Sequence, residues 1–500
     1  MLKDVGPSER IFNEIKKIED LDFAYQEEKF ANDNVETLCE NMVFYPPEHY
    51  LDGDSLLFEY DEKLLRDCQN ALSRDNVNVF LRSKEINQET LDLTEPWFGT
   101  RYSKSDIPSD WLRETDEYRG EFHLPVPNNF IAEDTALIKL GDDVESVPVR
   151  ILSEKSGELY YKADNTFKQP RAYIAYLLRS PLQLESTSNA CLLDLLVMCL
   201  LQNMTEDVYP ADLAQLGYSL YAHESGMVIK VNGLSDKLAK LLEVIIDHLV
   251  KFEDETNQEI FEAVLDQQKR NYYNHCIKAK KLVRDVRLSL LQDVYHSPHQ
   301  KHNIIGSLTL SQLKEFASKF KSHLTLQALV QGNMTQAAAE DVDKFVKTRL
   351  DCSSYPDPGA GDIRCVELGR GEAAVRVDSL HQGDSNTLVT NYYQHGPGTI
   401  RDQAIIETIV LLMEEPIFDT LRTQEQLGYA VSMCMRNTYG VLGLSVTVNT
   451  QATKFTPQHV DQRIENFFKS FIADSLNEEA VQKAVQSLIK LKVQYLVIES

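Results

Sequence analysis

The sequence lacks the short motifs that most directly identify a catalytic or metal centre. Its twelve histidines form neither H-E-x-x-H nor H-x-x-E-H, which excludes those two zinc-peptidase signatures from this chain. It contains no Walker loop, no G-x-G-x-x-G and no G-x-S-x-G. A phosphate-cradling loop and a serine nucleophile elbow are therefore not predicted.

Cysteines and long apolar runs are also scarce. The eight cysteines form no C-x-x-C pair, and Cys191 and Cys199 lie on an apolar stretch, as core residues do. This usage predicts a reducing, cytoplasmic setting rather than a disulfide framework. No run reaches about 18 apolar residues, and residues 1–8 contain no signal-peptide core, so we expect no contact with a membrane.

Basic residues are outnumbered. The chain has 51 Lys and Arg against 77 Asp and Glu, a formal charge of −26, which argues against a nucleic-acid or anionic-membrane surface. The charge is compatible with basic peptide substrates, although a solvated acidic surface explains it equally simply. Five hundred residues, 43% of them hydrophobic, predict roughly three or four globular domains.

Hydrophobic periodicity predicts helices and strands in alternation. Residues 8–83 read as helices followed by a strand, Val77 to Leu81. A complete unit begins at Pro170 and holds an apolar helix, Asn189 to Leu201, which should be buried on all sides. Further strands are predicted at Val147–Leu152, Leu159–Lys162, Leu324–Val330 and Thr387–Tyr393, and a linker at Pro356–Gly361.

Residues 401–449 form the stretch around which the rest is organised. An apolar helix is expected to break at Pro416, as another should at Pro210. Gly428 suits a helix C-terminus with positive φ, Tyr429 to Met435 should be a strand, and Asn437–Gly440 a turn.

An internal repeat is the most informative feature. The tetrapeptide Gln-Leu-Gly-Tyr occurs at 215–218 and again at 426–429, each time after a proline-containing helix and before two strands. The phase of the repeat predicts that the chain opens late in one unit, contains one whole unit and stops within a third. We therefore expect a fragment, a truncated isoform or an incomplete gene model.

Arg422 and Tyr429 are the candidate functional residues. At equal spacing from the tyrosine the first copy has Ala211 where the second has Arg422, so the repeat does not need the arginine for structure. The alternative is that Arg422 is a surface charge at a helix C-terminus and Tyr429 a half-buried strand aromatic. For His296, His299 and His302, a solvated loop is favoured over a zinc site.

Glu414 to Tyr429 resembles the signature of the C-terminal half of the insulysin/pitrilysin family of zinc metalloendopeptidases. Four further stretches resemble one member of that family in particular: Gly6–Ile15, Trp97–Thr100, Leu329–Asn333 and Arg436–Val448. The resemblance implies an α/β (α+β) fold of tandem homologous domains, each a mixed sheet packed with helices, in two halves that close as a clamshell around a peptide.

The resemblance also implies a domain layout. Residues 1–85 would end family domain two, 86–168 connect the halves, 169–350 form the complete third domain, 351–379 a linker with first strands, and 380–500 a truncated fourth domain. The family's zinc ligands lie in domain one and match no position here. Zinc would thus belong to the full-length enzyme, and the zinc-bearing N-terminal half would be a partner.

By the same resemblance, Arg422 and Tyr429 would contact the scissile carbonyl and the substrate backbone. The implied substrates are short peptides cleaved near paired basic residues. The chain alone would be inactive. The alternative is a non-catalytic homologue that acts as a binding or chaperone-like protein.

Overall fold

The structure, a computed structural model, describes residues 2–111, 122–140, 145–351, 353–354, 361–378, 381 and 383–498. Most of the predicted linker at Pro356–Gly361, and Cys352, lie outside the described residues. The chain divides into two compact units. The first comprises Met1–Ile131 with Leu213–Gln215, and the second Ala132–Asp212 with Leu216–Ser500.

The N-terminal part of the first unit, up to Ala71, is mainly helical, as its sequence predicts. Two of its helices begin at side-chain caps: Ser8 Oγ accepts from the Ile11 N–H, and Asp61 Oδ1 accepts from the Leu64 N–H at 2.9 Å. The elements are α1 (Leu2–Val5), α2 (Glu9–Ala24), α3 (Ala31–Phe44), α4 (Glu62–Ala71), and a small hairpin of β1 (Leu93–Thr94) and β2 (Arg101–Tyr102).

The strand predicted at Val77 to Leu81 is wrong. Residues 77–83 are described and form no strand, and Phe80 is 95% exposed. Alternating apolar side chains predict a strand only if a neighbouring strand takes up the backbone N–H and C=O groups. No such neighbour lies beside this segment in the described part of the unit.

The second unit contains a six-stranded mixed sheet in the order β3-β4-β8-β5-β7-β6. Only β4 and β8 pair in parallel; all other neighbours are antiparallel. The elements from Val149 to Leu350 are β3 (Val149–Glu154), β4 (Gly157–Ala163), β5 (Arg171–Arg179), α5 (Leu182–Glu185), α6 (Thr187–Asn203), α7 (Thr205–Leu213), β6 (Gly217–His223), β7 (Gly226–Leu234), α8 (Leu238–Val250), α9 (Phe252–Glu255), α10 (Gln258–Cys276), α11 (Ala279–Leu291), α12 (Pro298–Ile305), α13 (Leu310–Ser322), β8 (Thr325–Gly332) and α14 (Gln336–Leu350).

Helix α6 is largely buried, as predicted: no residue from Asn189 to Leu201 is exposed. It is capped by Ser186, whose side chain accepts from the Asn189 N–H, and nine of its residues are buried. Cys199 is fully buried, as predicted for a core residue, and this burial raises the pKa of its thiol to about 12. No single described helix is long and apolar enough to cross a membrane; α6 and α7, bent by 66°, meet that test only as a pair.

The second unit continues with a smaller sheet that repeats three strands of the larger one. Its order is β10-β11-β9, all antiparallel, which matches β6-β7-β5 strand for strand. The elements are β9 (Asn386–Pro397), α15 (Ile400–Phe418), β10 (Ala430–Thr438), β11 (Val441–Gln451), α16 (Pro457–Asp474) and α17 (Glu478–Ile498). The predicted fold class, mixed sheets packed with helices, is confirmed.

Neither proline breaks its helix, contrary to the sequence prediction. Pro210 lies inside α7 and Pro416 inside α15, both close to the C-terminal end. Each proline removes the hydrogen bond to the carbonyl four residues earlier, and each helix ends within three residues of its proline. The break before α7 falls instead at Met204, which is fully buried.

Limited proteolysis tests the predicted domain layout. We expect residues 170–350 to survive as the resistant core, because this span holds four of the six strands of the larger sheet, β5 to β8, and the helices that cover them. The fragments would be identified by mass spectrometry over a time course. Equal resistance of residues 380–500, which have a hydrophobic cluster of their own, would contradict the prediction.

Candidate functional site

Arg422 lies in a π-helical turn, Asp419–Gln424, that continues directly from α15. Its guanidinium carbon is 4.7 Å from the centroid of the Phe418 ring and 5.6 Å from that of the Tyr429 ring. Its Nε donates to the Tyr429 carbonyl oxygen at 2.9 Å. Two cation–π contacts and one hydrogen bond thus hold the guanidinium in place.

The chain turns back between Arg422 and Tyr429 at Gln426, not at Gly428 as predicted. Gln426 has φ 51°, in the left-handed region, whereas Gly428 has no positive φ. Gly428 is needed for a different reason: a Cβ added there would lie 1.9 Å from the carbonyl oxygen of Asn449 on β11. Buried Leu427 between them anchors the turn. The glycine therefore permits close approach of two backbones rather than a special φ.

Tyr429 is 85% exposed and lies immediately before β10. The alternative that it is a half-buried strand aromatic is therefore wrong. Its carbonyl is held by Arg422, while its ring and hydroxyl face solvent. The structure thus brings the two predicted site residues together and leaves the phenol accessible to a ligand.

The first copy of the repeat shares the turn but not the site. Gln215 also has a left-handed φ, 62°, and Leu216 is buried. Tyr218, however, is half-buried within β6, where it pairs with Val231. Burial, and next the negative charge of Asp212, raises the pKa of the Tyr218 phenol. The first copy therefore uses its tyrosine for packing.

The residue opposite Arg422 in the first copy is not Ala211, as equal spacing predicted. The Leu216 N–H donates to the Ala211 carbonyl, and the equivalent Leu427 N–H donates to that of Leu421. Ala211 and Leu421 are both fully buried, so they are the true counterparts. The second copy thus has one residue more between its buried helical residue and its tyrosine, and Arg422 lies within that longer segment.

Two neighbouring residues fix the site and were not singled out from the sequence. Phe418 lies four residues before Arg422 on the same helix face, a spacing that could have indicated the contact. Glu425 receives two hydrogen bonds from Arg463 on α16, one of them at 2.7 Å from Nε. That pair raises the pKa of Arg463, with the hydrogen bond as the main cause.

No three His, Cys, Asp or Glu side chains come together as metal ligands in the part of the chain that the structure describes. The segment at His296 to His302 is not the predicted solvated loop: α12 begins at Pro298 behind a capping box formed by Ser297 and Gln300. His296 contacts the Thr187 hydroxyl at 3.0 Å and the Leu184 carbonyl, so it is held in the fold.

Two family models match the chain. One, described as the middle or third domain of peptidase M16, covers residues 23–304. The other, described as the C-terminal lobe domain 4 of PqqF-like PQQ synthase, covers residues 409–494.

Curated relatives give a consistent result. Human nardilysin is 41% identical over 98% of this chain, and a nardilysin-like protein of Arabidopsis thaliana is 30% identical over 96%. Human insulin-degrading enzyme is 27% identical over 97%. The chain spans less than half of each of these relatives: 43%, 48% and 48% of their lengths.

The fold matches a solved structure as well. The crystal structure of pitrilysin superposes with a TM-score of 0.75 at 20% identity, over 98% of this chain and 52% of that one. The resemblance predicted from the sequence is thereby confirmed, and the member that the four stretches resembled is nardilysin.

Proposed function

Because this chain belongs to the peptidase M16 family, a family of metallopeptidases, we propose that it is a segment of a nardilysin-like zinc metalloendopeptidase. In this proposal it forms one wall of a chamber in which peptide bonds are hydrolysed. The observation that carries the proposal is the pair Arg422 and Tyr429, one fixed by three contacts and the other exposed beside it.

The pair suits the binding of an oxygen that gains negative charge. A guanidinium keeps its charge and offers donors in a fixed plane, and a phenol offers one neutral donor. Nε of Arg422 is engaged by Tyr429, whereas its terminal nitrogens donate to no described residue. We assign these nitrogens and the Tyr429 hydroxyl to the carbonyl oxygen and backbone of the bound peptide.

The zinc is assigned to the N-terminal half of the longer enzyme. The described residues of this chain offer no set of three ligands, so they do not fit a catalytic zinc, which takes about three protein ligands. In this division of labour the N-terminal half is the partner that holds the metal, and this chain contributes contacts to the substrate.

We further propose short peptides with paired basic residues as substrates. The formal charge of −26 supports this choice, because an acidic surface attracts cationic peptides and raises their rate of encounter. The seven cysteines that the structure describes are all free thiols, and the reducing setting that this suggests supports a cytoplasmic location.

A non-catalytic role is the second candidate. The absence of a metal-ligand set among the described residues favours a binding or chaperone-like protein if the chain acts alone. An exposed Tyr429 beside a fixed Arg422 favours the peptidase segment, since Tyr429, unlike Tyr218 of the first copy, is not used for packing.

Metal analysis and a cleavage assay test the proposed division of labour. We expect the 500-residue chain to retain less than about a tenth of an equivalent of zinc after dialysis, because three ligands are needed to hold it. It should also fail to cleave a fluorogenic dibasic peptide. The native protein, captured with an antibody against residues 170–350, should cleave that peptide and lose activity with a chelator.

Two outcomes would overturn the proposal. Equimolar zinc with chelator-sensitive cleavage by the 500-residue chain would place the catalytic metal here. Captured native protein that binds dibasic peptides but never cleaves them would establish the non-catalytic role instead.

A further inference from the structure

Two further arginines, Arg287 and Arg436, lie on the face of the smaller sheet that α11 contacts. Arg436 on β10 is paired with Gly443 on β11, and Tyr392 on β9 is paired with Ser445 on β11. A Cβ at Gly443 would lie 2.6 Å from the Tyr392 hydroxyl oxygen, so the phenol crosses over this glycine towards Arg436.

Arg287 and Arg436 both lie beside Tyr392. The guanidinium carbon of Arg287, on α11, is 5.5 Å from the centroid of the Tyr392 ring, and its Nη1 donates to the Thr438 hydroxyl at 3.4 Å. Arg436 Nε donates to the Ser445 hydroxyl at 2.8 Å. Burial, and next the positive charge of Arg436, lowers the pKa of Arg287. Two half-buried positive charges therefore lie close together.

Among the described residues, no carboxylate pairs with either guanidinium. Neither arginine forms an ion pair with an acidic side chain of the described chain, although the sequence has 77 Asp and Glu against 51 Lys and Arg. Elsewhere in the same unit, half-buried arginines are paired, for example Arg463 with Glu425 and Arg179 with Asp362. In addition, the Tyr392 hydroxyl is buried and has no hydrogen-bond partner among the described residues. Burying unpaired charges and an unsatisfied hydroxyl destabilises the folded protein unless a ligand supplies the missing partners.

We propose that Arg287, Arg436 and Tyr392 form a binding site for a phosphate-class oxyanion. Two guanidinium groups carry two positive charges, which match a phosphate of nearly two negative charges better than a single carboxylate. The planar forks of arginine suit a tetrahedral oxyanion, and the phenol adds a third donor. The site lies within one compact unit and does not depend on the proposed peptidase function.

Titration calorimetry on the 500-residue chain tests the proposal, with inorganic phosphate and adenosine monophosphate as separate probes at constant ionic strength in NaCl. We expect saturable binding at one site per chain. Tighter binding of inorganic phosphate would identify the free ion as the ligand, and tighter binding of the monophosphate an organic phosphate ester. Arg287→Gln and Arg436→Gln should each weaken binding at least about tenfold, because each removes charge-assisted hydrogen bonds.

Arg270→Gln is the matched control. It removes one charge from an exposed ion pair on α10, and it should leave phosphate affinity unchanged. If the glutamine variants fail to fold, Arg287→Lys and Arg436→Lys keep the charge while losing the fork, and they should weaken binding less. The proposal is overturned if the unmodified chain shows no saturable binding, or if the Arg270 and Arg436 variants bind equally well.

Discussion

Replacing Tyr429 by phenylalanine in the full-length protein is expected to lower kcat roughly 100-fold, with KM little changed. The substitution keeps the ring against Arg422 and removes only the exposed hydroxyl. A donor to an oxygen that becomes negative in the transition state stabilises that state more than the ground state. Its loss therefore appears in kcat rather than in substrate binding.

Arg422→Lys should reduce turnover as well. Lysine cannot reproduce both the hydrogen bond from Nε to the Tyr429 carbonyl and the flat contact with the Phe418 ring. The ammonium would keep the charge but not its position. Steady-state kinetics on a dibasic peptide would measure both variants.

Tyr218→Phe is the control that the repeat provides. This tyrosine occupies the same place in the tetrapeptide but is half-buried in β6, so kcat should stay within about twofold of the unmodified enzyme. Equal losses at Tyr218 and Tyr429, or no loss at Tyr429, would show that the tetrapeptide has only a structural role in both copies.

Gly428→Ala is expected to destabilise the smaller sheet by about 2 to 3 kcal/mol. The added Cβ would lie 1.9 Å from the Asn449 carbonyl oxygen, a backbone atom that cannot move without separating β10 from β11. Hydrogen exchange of the β10 and β11 amides would report the loss locally, as faster exchange than in the unmodified protein.

Gly217→Ala is the matched control for this loss of stability. The corresponding Cβ would be 2.8 Å from the side-chain amide oxygen of Asn232, which can rotate aside, so the cost should be below about 1 kcal/mol. Gly369→Ala, with nothing within 4 Å, should change nothing. Unaltered exchange in Gly428→Ala would mean that the two backbones separate easily.

The sequence correctly predicted those features that depend only on residues close together along the chain. The turn at Asn437–Gly440 is one example: Tyr439 and Gly440 both have positive φ, and Asn437 Oδ1 accepts from the Gly440 N–H. Asparagine and glycine favour such a turn whatever surrounds it. The repeat and the burial of α6 likewise follow from composition and spacing.

The remaining features depend on tertiary contacts. Glutamine rarely adopts a left-handed φ, yet Gln215 and Gln426 both do, and each directly precedes a buried leucine and a glycine that packs closely against a neighbouring strand. The strand prediction for Val77 to Leu81 was wrong for the converse reason. The sequence has a strand pattern there, but no partner strand lies beside it in the described part of the unit. Such effects are visible only once distant residues are placed.

The extra residue between Leu421 and Tyr429 matters for aligning the two copies of the repeat and for designing chimeras between them. A π-helical turn is an α-helical turn lengthened by one residue, and a single deletion within Asp419–Gln424 would restore α-helical spacing. Residues beyond the deletion would then rotate by about 100° around the helix axis, because an α-helix has 3.6 residues per turn. An alignment of the two copies of the repeat that leaves no gap here pairs Arg422 with Ala211, and a chimera built on it would aim the guanidinium away from Tyr429.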